Sequence, residues 1–309
     1  MGDAGTALLA GVRPIVHTPF EDGDRQQIDV VSLRRLVAHM VDQGVDGVVP
    51  LGLASEPWTL TEDERELVLG VVLEEVGDRV PVMVGVDGHT AVAVERARRA
   101  ASAGARALQV VPPANVTVAQ AFDHLELVAE SSGLPVLVQD APQVTGVVLP
   151  TEELIARVGR HPLLIGVKSE GIDSGPKVSA LAAADVPVVA GWGGLHYPES
   201  VARGAIGCIP GCDIAAALHE VHRRLAAGEL VGGRRLYERL LPLLAFECRS
   251  LGMLILSAKR ALVRRGVLRS GHMRSPAPAL DALATGTVDA LFAALEQEEA
   301  PGWTVEAAA

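Results

Sequence analysis

A chain of 309 residues with 49% apolar and 21% charged residues indicates a globular protein with a substantial core and excludes extensive disorder. The net charge of -11 and the aromatic content of 3% argue against a nucleic-acid partner, because such a surface needs clustered basic side chains and exposed rings. No apolar run is long enough to span a membrane and the N-terminus lacks a basic secretory signal, so we expect a cytoplasmic protein with no membrane partner.

Short runs of Val, Ile and Leu alternate with longer amphipathic segments along the chain. Runs that are apolar at every position are typical of parallel strands covered on both faces. The predicted strands are residues 12–16, 47–51, 80–86, 107–111, 134–138, 163–167, 186–191 and 206–210. The predicted helices between them are residues 29–44, 60–75, 90–104, 118–133, 151–159 and 177–184. In the second of these helices, Thr61 and Glu64 have the spacing of a capping box.

This alternation predicts an α/β fold, a (β/α)8 TIM barrel over residues 11–225. A doubly wound sheet is the alternative, and it is disfavoured because no Gly-rich phosphate motif follows the first strand. Further helical stretches without strands predict a C-terminal helical extension, residues 226–297, that packs on the barrel. We expect residues 298–309 to form a frayed tail.

Lys168 follows the sixth predicted strand, and the active site of such a barrel lies at the carboxyl ends of its strands. The chain has only two other lysines, Lys177 and Lys259. A guanidinium stays protonated, whereas desolvation lowers the pKa of an ammonium and can yield a neutral, nucleophilic amine. Lys168 therefore fits a lysine that condenses with a carbonyl group to form an imine. A structural ion pair with Glu170 or Asp140 is the alternative interpretation.

Several motifs, in this order and spacing, carry a family resemblance. They are HTPFEDGDRQQID (17–29), GLASEPWTLTEDER (52–65), PVMVGVDGHT (81–90), GARALQVVPP (104–113), DAPQVTG (140–146), GVKSE (166–170) and SAKRALVRRG (257–266). From about residue 11 to 297 the chain resembles the dihydrodipicolinate synthase/N-acetylneuraminate lyase family of class I aldolases. The resemblance implies a Schiff base between Lys168 and a 2-oxo acid such as pyruvate. It also implies a homo-oligomer, a dimer or more commonly a tetramer, that needs no metal and no cofactor.

The resemblance fails at the positions expected to line the site. The family usually carries Gly-Thr-Thr-Gly-Glu after the second strand, where this chain has Gly52-Leu53-Ala54-Ser55-Glu56. Only backbone amides and Ser55 then remain to bind a substrate carboxylate. The proton-relaying tyrosine at the end of the fifth strand is replaced by Gln139, which precedes Asp140. The arginine that often follows is Val144. The chain is therefore predicted to be a divergent member.

Two functional hypotheses remain open. In the first, the chain is a Schiff-base lyase or aldolase acting on a small-molecule carbonyl substrate, either a 2-oxo acid or a bulkier aldehyde or ketone. Lys168 is then the nucleophile, Asp140 or Glu170 replaces the tyrosine as acid and base, and Gln139 orients the substrate. The predicted substrate-binding residues are His17, Gly52, Leu53, Ala54, Ser55, Gly191, Trp192 and Ile209. In the second hypothesis, the chain is a catalytically silent paralogue that binds a small ligand or serves as an assembly subunit.

A metal site is a further alternative, because His17, Asp87, Asp140 and Glu170 all follow predicted strands. No HxH or HExxH spacing supports it, and Cys208 and Cys212 have no second ligand pair at metal-site spacing. We therefore predict no metal ligand among these residues.

Overall fold

The structure is a computed structural model that describes residues 3–23, 26–171 and 174–297. Within these ranges, parallel strands form one curved sheet, in the order β1-β7-β6-β5-β4-β3-β2. The strands are β1 Gly11–Val12, β2 Met83–Val86, β3 Ala107–Val110, β4 Val136–Asp140, β5 Leu164–Ser169, β6 Val188–Ala190 and β7 Gly207–Cys208. Parallel bridges from Ile15 to Val49 and from Val48 to Val82 place the predicted second strand between β1 and β2. The predicted (β/α)8 barrel is thereby confirmed.

Helices accompany the strands of this barrel, most of them on its outside. They are α1 Asp3–Ala7, α2 Val30–Asp42, α3 Glu62–Val76, α4 Thr90–Ala103, α5 Val118–Ser132, α6 Pro142–Thr145, α7 Thr151–Val158, α8 Gly175–Ala183, α9 Tyr197–Ala202 and α10 Ala215–Ala226. The predicted capping box is confirmed at α3, where the Glu64 N–H donates to Thr61 Oγ1 at 3.2 Å and the Thr61 N–H donates to Glu64 Oε2 at 2.9 Å. Both amide groups lack intrahelical partners, so the cap fixes where α3 begins.

Alternation along the strands separates an inner from an outer layer, because successive side chains of a strand point to opposite faces. On β4, Val136 and Val138 belong to the layer between the sheet and the helices, whereas Leu137 packs inside the barrel with Met83 and Val189. Gln139 therefore points inward and Asp140 outward. The same period places Lys168 on the inner face of β5, in register with Gln139.

Helices of the predicted extension follow the barrel: α11 Leu230–Glu247, α12 Leu251–Arg264 and α13 Ala282–Gln297. An apolar cluster joins Leu240 and Leu244 of α11 to Leu218 of α10 and Phe292 of α13. The tail predicted at residues 298–309 lies outside the described residues.

A buried ion pair fastens α12 to the loop after the second strand position. The Lys259 side chain is 0% exposed and donates to Glu56 Oε1, whose side chain is 1% exposed. Lys259 Nζ also donates to the His272 carbonyl at 2.9 Å and lies 4.5 Å from the centre of the Phe20 ring. The Arg274 N–H donates to the second Glu56 oxygen at 3.1 Å. Barrel and extension thus share one desolvated charge network.

A second buried contact joins the loop after β7 to the end of α11. Asp213 and Glu247 are both buried, and the charge of Asp213 acts on Glu247. Burial, together with the neighbouring charge of Asp213, raises the pKa of Glu247 well above its ordinary value of 4.5. Burial also raises the pKa of Asp213, although the Arg265 guanidinium opposes this change.

Breaking the first contact is expected to destabilise the protein strongly. Lys259→Met leaves Glu56 charged and desolvated, which costs about 3–5 kcal/mol of the free energy of unfolding. Adding Glu56→Leu removes the stranded charge and should recover most of that loss. Denaturant unfolding measures both, with Arg79→Met as the control, since it breaks an exposed pair to Asp42. A loss in Lys259→Met no larger than in Arg79→Met would show that this network does not hold the extension.

The second contact predicts a specific dependence of stability on pH. Because the pKa of Glu247 is raised in the folded state, this residue makes a pH-dependent contribution to the free energy of unfolding. The contribution is fully present below pH 4.5, the ordinary pKa, and is lost as pH rises toward the folded-state pKa. The glutamine in Glu247→Gln cannot ionise. The free energy of unfolding of the variant, relative to the wild type, should therefore rise by up to about 1.4 kcal/mol per pH unit in that window. Unfolding curves measured from pH 4 to 9 check this, with the exposed Glu238→Gln on the same helix as control. Parallel stability profiles for Glu247→Gln and the wild type would contradict it.

Candidate active site

A cavity of about 40 Å³ lies at the carboxyl ends of the strands, and Lys168 is one of the residues that line it. Apart from Gln139, Lys168, Glu170 and Ser250, its walls are mainly apolar. The lining residues are Ile15, Leu53, Ala54, Gln139, Val144, Lys168, Glu170, Trp192, Gly193, Ile209, Pro210, Gly211, Cys248, Ser250, Leu251 and Leu254.

A chain of hydrogen bonds organises the polar side of the cavity. Lys168 Nζ lies 3.0 Å from Glu170 Oε1. Gln139 Nε2 donates to Glu170 Oε2 at 2.6 Å, and Gln109 Nε2 donates to Gln139 Oε1 at 2.9 Å. All four side chains are buried. Three consecutive strands therefore fix the carboxylate that faces the lysine.

The loop after β6 also contacts Glu170. The Trp192 N–H donates to Glu170 Oε1 at 3.0 Å. Trp192 adopts a left-handed φ of 46°, a strained conformation for a bulky residue. A Cβ atom on Gly191 would lie 2.2 Å from Glu170 Cγ, so only glycine leaves room for this carboxylate. Gly191, predicted to bind substrate, thus makes its contact with Glu170 and does not line the cavity.

Asp140 lies apart from the cavity. On the outer face of β4, its Oδ2 accepts a hydrogen bond from Lys177 Nζ of α8 at 2.6 Å, and Lys177 also donates to the Leu149 carbonyl at 2.9 Å. Burial raises the pKa of Asp140, and the Lys177 ammonium counteracts that change. Of the two carboxylates predicted as acid and base, the structure therefore brings Glu170 to Lys168 and directs Asp140 to Lys177.

Other predicted residues lie behind the cavity wall. Burial, and then the Lys259 ammonium, lower the pKa of His17 to about 3, which makes the imidazole neutral near pH 7. Ser55 Oγ donates to the Val16 carbonyl at 2.5 Å. A Cβ on Gly52 would lie 2.6 Å from Ile15 Cδ1, so Gly52 permits close packing. Four residues of the predicted substrate-binding set do line the cavity: Leu53, Ala54, Trp192 and Ile209.

Sequence reasoning missed the contribution of the extension. Cys248, Ser250, Leu251 and Leu254, at the junction of α11 and α12, form one wall of the cavity. The Cys248 thiol donates to the Trp192 carbonyl at 3.3 Å, and burial raises its pKa, so it stays protonated. No local pattern in the sequence predicts this wall of the cavity, because its position depends on how the extension packs.

A larger recess of about 510 Å³, here called the vestibule, adjoins the cavity on its outer side. Val144, Trp192, Cys248, Ser250 and Leu251 line both spaces. The vestibule is completed by Gln143, Leu195, His196 and Arg249.

The described part of the chain contains no group of three or more His, Cys, Asp and Glu side chains placed to hold a metal ion. Asp87, one of the candidate ligands, instead pairs with Arg65 at 2.8 Å and Arg96 at 2.9 Å. Within the same residues, no helix has the length and apolar character needed to cross a membrane.

Comparison with known proteins agrees with this architecture. Residues 8–295 match the model of the dihydrodipicolinate synthetase family. A 4-hydroxy-tetrahydrodipicolinate synthase of Kineococcus radiotolerans is 35% identical over 282 residues, 88% of this chain and 87% of the relative. An L-2-keto-3-deoxyarabonate dehydratase of Azospirillum brasilense is 30% identical over 291 residues, 91% of this chain and 92% of the relative.

Among solved structures, the dihydrodipicolinate synthase of Rhodopseudomonas palustris superposes with a TM-score of 0.87 at 27% identity. The match covers 94% of this chain and 98% of that one. Sequence and structure agree over nearly the whole length, so the chain belongs to the dihydrodipicolinate synthetase family of class I aldolases and lyases.

Proposed function

We propose that the chain is a Schiff-base lyase or aldolase in which Lys168 is the nucleophile and Glu170 is the acid and base. The observation that carries this proposal is the 3.0 Å separation of Lys168 Nζ and Glu170 Oε1 at a cavity otherwise mainly apolar. A hydrogen-bond acceptor at this distance can take a proton from the lysine, and the apolar walls limit the competition from water.

The first steps form the imine. Glu170 accepts a proton from the Lys168 ammonium, and the resulting amine adds to the carbonyl carbon of the substrate. Proton transfer from nitrogen to oxygen gives a carbinolamine, and protonated Glu170 returns its proton to the hydroxyl group, which leaves as water. The nitrogen retains the positive charge of an iminium ion.

The iminium ion then acts as the electron sink. In an aldol cleavage, Glu170 removes the proton of a hydroxyl group β to the imine carbon, the α–β carbon bond breaks, and an aldehyde leaves. The electron pair of that bond forms an enamine, which is protonated at the α carbon and hydrolysed to release the product and Lys168. Loss of an α proton followed by departure of the β hydroxyl group is the dehydratase variant. The names of the Kineococcus and Azospirillum relatives include both a synthase and a dehydratase.

The loop after the second strand position leaves few hydrogen-bond donors for a substrate carboxylate. The Ser55 hydroxyl group is engaged with Val16, and the amides of Ser55 and Glu56 donate to the Gly52 and Leu53 carbonyls at 2.8 and 3.3 Å. Leu53 and Ala54 present apolar side chains in the place of the family's threonines.

We also propose that the barrel, residues 11–225, and the extension, residues 226–297, act as one unit, since Cys248 and Leu251 complete the cavity. Family membership supports a cytoplasmic homodimer or homotetramer that needs no cofactor. The silent-paralogue hypothesis remains the competing interpretation and is separated by the trapping experiment.

Trapping with borohydride tests the nucleophile. Wild-type protein incubated with a panel of aldehydes, ketones and 2-oxo acids should gain the mass of one reduced adduct, because borohydride converts an iminium ion into a stable secondary amine. Lys168→Arg should gain none, since a guanidinium offers no free amine. Lys177→Arg is the matched control and should be labelled like the wild type. Intact mass and peptide mapping provide the readout, and a panel without any Lys168 adduct would support the silent ligand-binding protein.

Glu170→Gln tests the acid and base. The variant is nearly isosteric but cannot accept a proton, so α-hydrogen exchange of a bound ketone should slow by roughly 10²–10⁴-fold. Its side chain keeps one acceptor oxygen of the two that receive the Gln139 and Trp192 N–H groups. Deuterium incorporation followed by NMR measures this rate. Asp140→Asn, checked for folding by thermal unfolding, should retain most of the exchange rate. A retained exchange rate in Glu170→Gln with a loss in Asp140→Asn would place the relay at Asp140.

A further inference from the structure

We propose that Gln109 is a positioning residue that determines which oxygen of Glu170 carries the proton during catalysis. Gln109 holds the side-chain amide of Gln139 in one orientation, and this keeps the proton on Glu170 Oε1, the oxygen next to Lys168. The inference rests on the proposed function and deepens it. Gln109 lies on β3, is 1% exposed and lines neither the cavity nor the vestibule, so it acts through Gln139.

The two oxygens of Glu170 have different neighbours. Oε1 lies 3.0 Å from Lys168 Nζ and accepts the Trp192 N–H at 3.0 Å. Oε2 accepts the side-chain N–H of Gln139 at 2.6 Å. In an iminium ion formed on Lys168, the α carbon is two bonds from Nζ. Oε1 is therefore the oxygen that is placed to exchange protons with the substrate, and Oε2 faces the amide.

The orientation of the Gln139 amide selects between these oxygens. An ionised carboxylate only accepts hydrogen bonds, so the amide turns its NH2 group toward it. Once Glu170 is protonated, this NH2 group offers no acceptor for a proton on Oε2, and the proton stays on Oε1. A reversed amide would present its carbonyl oxygen and hold the proton on Oε2. The separation of 2.6 Å fits such a bond, because O–H donors lie roughly 2.5–3.0 Å from their acceptors.

Gln109 opposes that reversal. Its Nε2 donates to Gln139 Oε1 at 2.9 Å. If Gln139 alone turned over, its NH2 group would meet the NH2 group of Gln109, and two donors form no hydrogen bond. Both side chains are buried, at 1% and 2% exposure, so water does not replace the lost bond. An unpaired amide is costly in such surroundings.

A joint reversal of both amides is also disfavoured. Gln109 Oε1 is buried and has no hydrogen-bond partner among the residues that the structure describes. Turning the Gln109 amide as well would exchange this unpaired oxygen for an unpaired NH2 group. Buried N–H groups without a partner are rarer in proteins than buried carbonyl oxygens without one. The observed arrangement, with Gln109 as donor to Gln139 and Gln139 as donor to Glu170, is therefore the preferred one.

The proton transfer that this arrangement serves is the one that forms the enamine. Glu170 Oε1 removes a proton from the α carbon of the iminium ion, the electron pair of that C–H bond forms the carbon–carbon double bond, and the nitrogen becomes neutral. Return of a proton from Oε1 to the α carbon reverses the step. A proton held on Oε2 takes part in neither direction, so it slows both.

The test measures α-hydrogen exchange in deuterium oxide with the full-length protein. The probes are pyruvate and acetone, and NMR gives the exchange rate at saturation and the half-saturating concentration. The variants are Gln109→Met, Gln139→Met and the double variant, each checked by thermal unfolding. Gln109→Leu repeats the test if Gln109→Met does not fold. Leu108→Met is the matched control, because Leu108 is a buried neighbour on β3 that points to the outer layer.

Gln109→Met should lower the exchange rate at saturation roughly three- to tenfold, the effect of one neutral hydrogen bond. The half-saturating concentration should stay within about twofold, because Gln109 does not line the cavity. Leu108→Met should leave both quantities within about twofold. Adding Gln109→Met to Gln139→Met should cause no further loss, since a residue that acts through Gln139 has no effect without it.

The contrary outcomes are distinguishable. An equal loss from Gln109→Met in the wild type and in Gln139→Met, or a change confined to the half-saturating concentration, would show a packing role alone. A wild-type rate in Gln109→Met would show that Gln139 keeps its orientation unaided. In each of these cases Lys168 and Glu170 retain their proposed roles. Undiminished exchange in Glu170→Gln, or no exchange of either probe by the wild type, would overturn the proposed function and this inference with it.

Discussion

The contact between Lys168 and Glu170 is the interaction on which the rest of the site depends. The two residues lie two positions apart at the end of β5, so the strand period brings both side chains to the inner face of the barrel. In water such a pair contributes little, but inside the barrel a lone buried charge is costly, and each group stabilises the other. The same proximity gives the amine a partner for its proton. The contact between Lys168 and Glu170 thus contributes to stability and supports the proposed chemistry.

The surrounding structure is arranged to hold that carboxylate. Gln139 and the Trp192 amide each donate to one of its oxygens, Gln109 orients Gln139, and Gly191 leaves the space. The backbone of Trp192, whose N–H donates to Glu170, is left-handed, a strained conformation for a bulky residue. In place of a tyrosine hydroxyl, the site presents a carboxylate held by amides. An amide donates and accepts hydrogen bonds but does not transfer a proton, which is why we propose Glu170 as the acid and base.

The extension is part of the site as well as of the fold. Its ion pair between Lys259 and Glu56 anchors α12 beside the loop that carries Leu53 and Ala54, and the junction of α11 and α12 forms the outer wall. Two buried carboxyl groups, Asp213 and Glu247, join the same junction to the loop after β7. Because these contacts lie between distant parts of the chain, a change in the packing of the extension alters the shape of the cavity mouth.

The sequence by itself determined the barrel, its helices and the place of Lys168, the proposed nucleophile. Apolar runs of strand length, the capping box at Thr61 and the position of Lys168 after its strand are local signals, and local signals survive without tertiary information. The sequence also shows that the tyrosine and the paired threonines usual in the family are replaced in this chain. Strand alternation held a further clue, since Gln139 and Asp140 are neighbours and only one of them can face inward.

Only the tertiary structure decided which carboxylate meets the lysine and what encloses the site. Asp140 is drawn to Lys177 on α8, Ser55 is engaged with Val16, and His17 is neutral beside Lys259, all through partners remote in sequence. The wall formed by Cys248, Leu251 and Leu254, and the position of Arg249 in the vestibule, follow from the docking of the extension. Residue type and strand period determine which side chains can face the barrel interior. Long-range packing determines their partners, and those partners set the chemistry.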